Sequence, residues 1–311
     1  MAQSSAPFLR IGTRGSLLAM WQAREVQAHL AAAHGVDPEA IAIEAIRTTG
    51  DLIQDRPLSQ AGGKGLFTKE IEQALIDKAI DLAVHSSKDM PTALPAGLAL
   101  AGCLPREDVR DAFISRKSTS LASLPHGAVV GTASLRRQAM VKRLRPDVTV
   151  VTFRGNVDTR LKKLDDGVVD ATLLALAGLK RLGREAAATA VLEIDAFLPA
   201  VGQGAIGIEA READTRTREL LAKINHAETL TALHTERAFL AVLDGSCRTP
   251  IAGHARIEDD GILFRGMILR PDGSEMHEAV RRGAIEDGAA LGADAARELK
   301  GRAAPGFFAT G

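Results

Sequence analysis

Phe8-Leu-Arg-Ile-Gly-Thr-Arg-Gly-Ser16 joins a short apolar stretch to the start of a long amphipathic segment. Phe8–Gly12 has the pattern of a buried strand, and Ser16 suits the N-cap of a helix predicted over Leu17–Ala33. A strand that leads through a tight turn into a helix is the repeating unit of α/β folds. The N-terminal stretch therefore predicts an α/β protein.

The same unit recurs along the first two-thirds of the chain. The alternation predicts parallel sheets covered by helices, in two similar lobes. Leu198–Gly204 is rich in Gly and contains Pro, which indicates a link between the lobes before a strand that begins at Ile206. The predicted strands are Ile41–Arg47, Ile80–Val84, Ala128–Gly131, Val148–Phe153 and Asp170–Ala175, and the helices include Leu66–Ala79, Ser134–Leu144 and Asn156–Leu164.

The pattern changes after Asn225. Alternating residues and a turn at Asp272-Gly273 predict antiparallel strands in a small α+β domain. Its predicted elements are a helix over Ala227–Leu243, strands over Gly253–Ile257, Ile262–Leu269 and Glu275–Arg281, and a closing helix over Glu286–Lys300.

Composition argues against several classes of protein. Hydrophobic residues make up 46% and charged residues 25% of the 311 residues, as in globular proteins. Lys plus Arg and Asp plus Glu both number 39, and aromatic residues are 3%, so neither a basic excess nor stacking rings indicate a nucleic-acid binder. No stretch approaches the roughly 18 apolar residues of a membrane span, and the N-terminal residues lack secretory features. We expect a cytoplasmic protein with reduced thiols.

Three predicted strand ends share a tight turn, hydroxyl residues, a helix N-terminus and arginine. Helix N-termini attract anions, and the guanidinium group binds carboxylate or phosphate in two places. Ligands of open α/β sheets lie beyond such strand ends, so the pattern predicts a cleft for a ligand with several negative charges. The alternative is ordinary helix capping with solvated arginines. The three loops are Gly12–Ser16, Gly131–Arg137 and Phe153–Arg160.

Two further loops contain candidate reactive or mobile groups. His85-Ser-Ser-Lys-Asp89 follows a strand, and Asp89 in a cleft of arginines would stabilise a cationic intermediate. The alternative is a surface ion pair between Lys88 and Asp89. Gly62-Gly-Lys-Gly-Leu-Phe67 lacks the spacing of a nucleotide-binding P-loop, and with Asp51–Gly65 it predicts an active-site flap.

The two cysteines have different settings. Cys247 lies in Asp244-Gly-Ser-Cys-Arg-Thr-Pro250, beside a cation that favours thiolate, which fits either a reactive or a structural thiol. Cys103 follows an apolar stretch and is expected in the core. No paired Cys and His spacing predicts a zinc site.

Nine segments in order resemble the porphobilinogen deaminase family. The likeness runs from about residue 8 to 250. Departures from it include Gln60, where many relatives have Lys, so the flap here is expected to bind the product chain less strongly. The segments are Thr13–Ser16, Gly62–Phe67, Val84–Pro91, Arg106–Phe113, Gly131–Gln138, Arg154–Arg160, Ala177–Leu182, Leu198–Gly204 and Gly245–Pro250.

The resemblance implies a fold and an activity. The fold would be two α/β domains like type II periplasmic binding proteins, residues 8–104 with 205–222 and residues 110–198, plus a C-terminal α+β domain, residues 227–311. A dipyrromethane cofactor would be linked through a thioether to Cys247. The enzyme would be a monomer that joins four porphobilinogen molecules head to tail, releases four ammonia and frees hydroxymethylbilane by hydrolysis, in haem biosynthesis.

The resemblance also implies roles for individual residues. Asp89 would be the catalytic group, and Lys64 and Phe67 would belong to the flap. Lys88, Ser86, Thr132, Ser134, Arg136, Arg137 and Arg160 would bind the cofactor, and Arg14, Ser16, Arg154, Arg181 and Gln203 would bind substrate.

Two other functions stay open on the residues alone. A non-catalytic binding protein for a small carboxylate would suit two lobes, but it has no need of the Cys247 loop. A cysteine-dependent amidase or transferase would instead form an acyl-enzyme at that cysteine.

Overall fold

The computed structural model of the protein describes residues 7–52, 65–244 and 249–308. The chain divides into two compact units. Among the described residues, the first contains 7–52, 65–106 and 205–230, and the second contains 107–204, 231–244 and 249–308. No described helix combines the length and apolar character needed to cross a bilayer.

The first unit is built on a five-stranded sheet. Its strands are β1 (Leu9–Arg14), β2 (Ile41–Ile46), β3 (Leu82–Ser86), β4 (Leu98–Cys103) and β10 (Ile206–Arg211), in the order β2-β1-β3-β10-β4. β1 pairs in parallel with β2 and β3, whereas β10 runs antiparallel to β3 and β4. The helices of the unit are α1 (Leu17–His34), α2 (Thr49–Leu52), α3 (Lys69–Ile76) and α7 (Thr215–Ala222).

Local sequence accounts for both ends of α1. Ser16 is the N-cap, and its Oγ accepts a hydrogen bond from the Ala19 amide at 3.3 Å. The helix ends at Gly35, whose φ of 62° lies in the left-handed region that glycine adopts without strain. Val26 and Leu30 are fully buried in the cluster that the helix forms with the sheet. Capping and burial together fix where α1 begins and which face it turns to β1.

The second unit contains a second five-stranded sheet. Its strands are β5 (Asp111–Ser115), β6 (Val129–Gly131), β7 (Thr149–Val151), β8 (Ala171–Ala175) and β9 (Ala190–Leu192), in the order β7-β6-β8-β5-β9. β6 pairs in parallel with β7 and β8, and β5 runs antiparallel to β8. The helices that follow these strands are α4 (Leu135–Leu144), α5 (Val157–Asp165) and α6 (Leu176–Arg181).

An antiparallel sheet follows in the same unit. Its strands are β11 (Ile251–Glu258), β12 (Gly261–Leu269) and β13 (Met276–Gly283). The helix α8 (Ala227–Val242) precedes the sheet in the chain, and α9 (Gly288–Arg302) follows it. Met267 and Leu269 of β12 lie in the same buried cluster as Phe113 of β5 and Phe197. The second and third sheets therefore share a core.

The structure confirms the α/β fold with a C-terminal α+β part and corrects two details. The prediction of wholly parallel sheets is wrong, because β5 and β10 run antiparallel to their neighbours. The residue pattern predicts where a strand lies in the sequence but not whether it runs parallel or antiparallel to its neighbours. That direction depends on the long connections that bring the chain back to the sheet. The predicted helix at Leu66 begins instead at Lys69, after a turn. The boundaries of the three predicted domains stay a prediction.

Candidate functional site

A small cavity lies at one edge of the first sheet. β1 and β3 are parallel, so their carboxyl ends meet at this edge, where α1 also begins. The cavity measures about 60 Å³. It brings together five of the predicted site residues, namely Arg14, Ser16, Phe67, Ser86 and Asp89.

Asp89 ends a 3-10 turn, Ser87–Asp89, that follows β3 directly. The turn is held by its backbone, because the Ser87 amide donates to the Ala205 carbonyl at 3.0 Å and the Met90 amide to the Ser87 carbonyl at 3.2 Å. Asp89 is exposed. In the part of the chain that the structure describes, its carboxylate has no hydrogen bond or ion pair, with Lys88 or any other group. The carboxylate is thus available to a ligand in the cavity.

Arg14 lies beside Asp89 in the lining of the cavity, and it is held by protein groups. Its Nε donates to Asp51 Oδ1 at 3.1 Å, and its guanidinium carbon lies 4.2 Å from the centroid of the Phe67 ring. Burial opposes the ionisation of Asp51, but hydrogen bonds from Arg14 and Thr48 outweigh it and hold the pKa of Asp51 below its usual value. A ligand carboxylate at Arg14 would therefore compete with Asp51.

Hydroxyl groups lie in the loop of the second unit that the sequence predicts to bind an anion. Ser134 is the N-cap of α4, and its Oγ accepts a hydrogen bond from the Arg137 amide at 3.4 Å. Thr132 Oγ1 accepts one from the Ser134 amide at 3.2 Å. Both residues lie at the carboxyl end of β6, where the helix N-terminus favours an anion.

Arg136 and Arg137 are buried and share one carboxylate, that of Asp111. Arg136 Nη2 lies 2.6 Å from Asp111 Oδ2, and Arg137 Nη2 lies 2.7 Å from Asp111 Oδ1. Burial would raise the pKa of Asp111, but the two guanidinium groups outweigh it and hold the pKa well below its usual value. Burial and the neighbouring Arg137 lower the pKa of Arg136. Two cations facing one anion leave an excess positive charge.

Gln203, predicted to bind substrate, belongs to the same buried group. Its side-chain amide donates to Asp111 Oδ1 at 3.0 Å and to the Val109 carbonyl at 2.8 Å. The residue is fully buried. Its contacts here are those of a residue that holds Asp111 in place, and a direct contact with substrate stays a prediction.

Two of the remaining predicted arginines, Arg160 and Arg181, donate to backbone carbonyls of the second unit. Arg160 Nε donates to the Gly155 carbonyl at 2.8 Å, and Arg181 NH2 donates to the Gly204 carbonyl at 2.6 Å. The carbonyl of Arg154 accepts a hydrogen bond from Lys163 at 3.1 Å. These arginines lie near the ends of α5 and α6.

Three predicted positions lie outside the described residues: Cys247, Lys64 and Gln60. Cys103 is a buried free thiol, and burial raises its pKa to about 12, so it is the core residue that the sequence predicts. Among the described residues, no group of three His, Cys, Asp or Glu side chains could hold a metal ion.

Sequence reasoning missed Asp111 and a buried pair, His85 with Glu209. In each case the sequence contains an indication, namely a charged or titratable residue within a strand that is otherwise apolar. Asp111 begins β5, and Glu209 interrupts Ile206-Gly-Ile208 and Ala210 in β10. A charged residue is almost never fully buried unless it is paired with another polar or charged group. The sequence alone does not identify that group.

Comparison with protein families matches most of the chain. The model described as "Porphobilinogen deaminase, dipyromethane cofactor binding domain" matches residues 9–219, and "Porphobilinogen deaminase, C-terminal domain" matches residues 230–301. A curated porphobilinogen deaminase from Nitrobacter hamburgensis is 63% identical over 298 residues, which cover 96% of this chain and 94% of the relative. The enzyme of that name from Paracoccus denitrificans is 57% identical over 300 residues, 96% of each chain.

Solved structures show a more distant likeness. A periplasmic substrate-binding protein of an ABC transporter from Coxiella burnetii is 15% identical with a TM-score of 0.43, covering 72% of this chain and 94% of that one. A periplasmic binding protein from Brucella ovis, with glutathione bound, is 17% identical with a TM-score of 0.42, covering 76% and 69%.

Proposed function

Because the chain belongs to the porphobilinogen deaminase family, we propose that the cavity at the end of β1 and β3 is its catalytic site, with Asp89 as the catalytic group. The protein is a transferase of haem biosynthesis. It condenses four porphobilinogen molecules head to tail with loss of four ammonia, and hydrolysis then gives hydroxymethylbilane. The observation that carries the proposed site is the exposed Asp89 carboxylate, which is unpaired within the described chain.

The chemistry of the substrate explains why a carboxylate is needed. When porphobilinogen loses ammonia, a positive charge is left on its pyrrole and methylene carbons. A carboxylate fixed beside that charge stabilises the transition state, because it needs no reorganisation as the charge forms. The same group can give a proton to the leaving amine and accept one from the newly joined ring. Asp89, on a turn held by its backbone, suits both roles.

Arg14 and Ser16 are proposed to bind the acetate and propionate groups of the substrate. Ser16 caps α1, whose N-terminus favours anions, and Arg14 lies in the same cavity. Arg14 would exchange Asp51 for a substrate carboxylate. Arg154, Arg181 and Gln203 stay in the proposed set of substrate-binding residues.

The protein uses a dipyrromethane cofactor, and the second unit suits its carboxylates. Arg136 and Arg137 carry an excess positive charge over Asp111, and the buried Nε of Arg136 has no hydrogen-bond partner among the described residues. When bound, the cofactor supplies the pyrrole carbon to which the first substrate is joined. We propose Cys247 as its attachment point, and Lys88, Ser86, Thr132, Ser134, Arg136, Arg137 and Arg160 as the residues that hold it.

Replacement of Asp89 tests the proposed site. Asp89→Asn keeps the shape of the side chain and removes its charge, so the rate of each condensation should fall by about 10²–10³ while substrate binding changes little. Asp89→Glu keeps the charge and should retain more activity than the Asn variant. Single-turnover kinetics with porphobilinogen, beside thermal melts and intact mass, measure the rate, the folding and the cofactor content.

Two reference variants accompany this test. Asp77→Asn removes an exposed carboxylate of the same unit, beyond α3, and should leave the rate unchanged. Cys247→Ser should lack the added mass of two linked pyrrole units that the other proteins carry. A folded, cofactor-bearing Asp89→Asn protein with near-normal turnover would refute the catalytic role.

We also propose that the protein acts in the cytoplasm as a monomer. A buried, reduced Cys103 is consistent with a reducing compartment. Size-exclusion chromatography with light scattering measures the mass in solution. A mass of two chains would refute the proposal that the protein is a monomer.

A further inference from the structure

Three titratable groups meet inside the first unit, beneath the turn that carries Asp89. They come from three elements: His85 from β3, Glu209 from β10 and Glu72 from α3. His85 Nε2 lies 3.2 Å from Glu209 Oε2, and the two side chains are 3% and 0% exposed. Removing two charges from water is costly, and well-packed apolar side chains would often hold two strands together equally well. The pair therefore calls for an explanation beyond stability.

Unpaired polar atoms are concentrated at the same place. Eight buried side-chain atoms have no hydrogen bond among the described residues, and six of them belong to Thr68, Glu72, His85, Ser87 and Glu209. Folded proteins leave few such atoms, and a concentration of them marks a site kept for a reason other than packing. The contact with Glu209 Oε2 at 3.2 Å is thus the polar contact that the His85 ring makes within the described chain.

The sheet connects this pair to the catalytic turn. In the pairing of β3 with β10, His85 lies opposite Gly207, two residues from Glu209. The turn packs so closely on Gly207 that no side chain would fit there, because a Cβ at this position would lie 2.7 Å from Ser87 Oγ and 2.9 Å from Met90 Sδ. The turn therefore rests directly on β10, and any shift between the two strands moves Asp89.

His85 also lies in the lining of the cavity that contains Asp89. The charged and titratable groups around it are Glu209 of β10, Glu72 and Glu70 of α3, Arg14 of β1, and Lys88 and Asp89 of the turn. Burial and the nearby Glu209 raise the pKa of Glu72. The contact of His85 with Glu209, at 3.2 Å, therefore joins β3 to β10 directly.

We propose that Glu209 and His85 are positioning residues for Asp89: their ion pair fixes β3 against β10 and so sets where the Asp89 carboxylate stands in the cavity. The inference rests on the proposed catalytic role of Asp89. It predicts that the pair acts on turnover and not on the binding of porphobilinogen.

Glu209→Gln in the holoenzyme tests the proposal. The amide keeps the size of the side chain and removes the charge, so kcat should fall about tenfold or more as the carboxylate of Asp89 is misplaced. KM for porphobilinogen and the cofactor mass should stay within about twofold of the parent protein, because Arg14 and the second unit are untouched.

A matched control separates positioning from stability. Asp214 is a carboxylate of the same unit that caps α7, accepting from the Thr217 amide at 3.0 Å, and also binds Arg211. Asp214→Asn should lower the melting temperature but leave kcat and KM unchanged. If Glu209→Gln behaves in the same way, or leaves kcat unchanged, the proposal is wrong.

A double variant covers the case in which Glu209→Gln does not fold. His85→Gln with Glu209→Gln replaces the ion pair by two neutral amides that can hydrogen-bond each other. It should restore folding without restoring kcat, and full recovery of kcat would overturn the proposal. Asp89→Asn is measured alongside. If Asp89→Asn keeps its turnover, the proposed catalytic role of Asp89 is wrong. If Asp89→Asn loses turnover but Glu209→Gln does not, only the positioning role of Glu209 and His85 is wrong.

Discussion

At the residue scale, Asp111 is the buried anion that two buried arginines share. Asp111→Asn would leave two buried guanidinium groups without their anion, so we expect the free energy of unfolding to fall by about 3–5 kcal/mol. Because folding lowers the pKa of Asp111, its contribution is complete above the unfolded pKa of about 3.9 and is lost as pH falls below it. The gap between parent and variant should therefore shrink on acidification.

Urea unfolding at neutral and at acid pH measures this gap. Asp195→Asn is the comparison, since Asp195 also pairs with an arginine, Arg265, but its side chain is 96% exposed. An exposed pair contributes about 0–1 kcal/mol, so that variant should unfold close to the parent protein. Equal effects of the two substitutions would contradict the role given to Asp111.

At the scale of elements, the entry to α5 is under steric constraint. Gly155 has a φ of 133°, and a Cβ there would lie 2.8 Å from Thr159 Cγ2, while Asn156 caps the helix through the Thr159 amide at 2.8 Å. Gly155→Ala should cost about 1–3 kcal/mol of unfolding free energy, because both the backbone and Thr159 must shift. Thermal melts measure this loss of stability, and Gly301→Ala in α9 is the control. The methyl group added at Gly301 meets open space, so this substitution should be neutral or stabilising. Comparable melting of the two variants would contradict the constraint.

At the scale of the whole molecule, the shared core makes the second and third sheets one cooperative unit. Leu269 of β12 is fully buried in that core with Phe113 of β5. Leu269→Ala should cost about 2–5 kcal/mol, and hydrogen exchange should show protection lost in β5 as well as in β12. Loss confined to β11, β12 and β13 would mean that the C-terminal sheet unfolds alone.

The sequence by itself determined the local structure and the family. Ser16 at the start of α1, the strand before Asp89 and the hydroxyl residues of the α4 loop were predictable, because caps and periodicity depend on neighbours within one turn or strand. Nine ordered segments identified the chemistry. The direction of β5 and β10 was not predictable, since it depends on connections that cross from one part of the chain to another.

Only the tertiary structure decided which charges are partners. Arg136 and Arg137 were expected to face a ligand, yet both contact Asp111, and Arg14 contacts Asp51. Glu209 meets His85 only because β10 returns to pair with β3. Burial makes these long-range pairs obligatory, because an unpartnered charge in the interior is too costly, but the residue pattern alone does not say which distant group provides the partner.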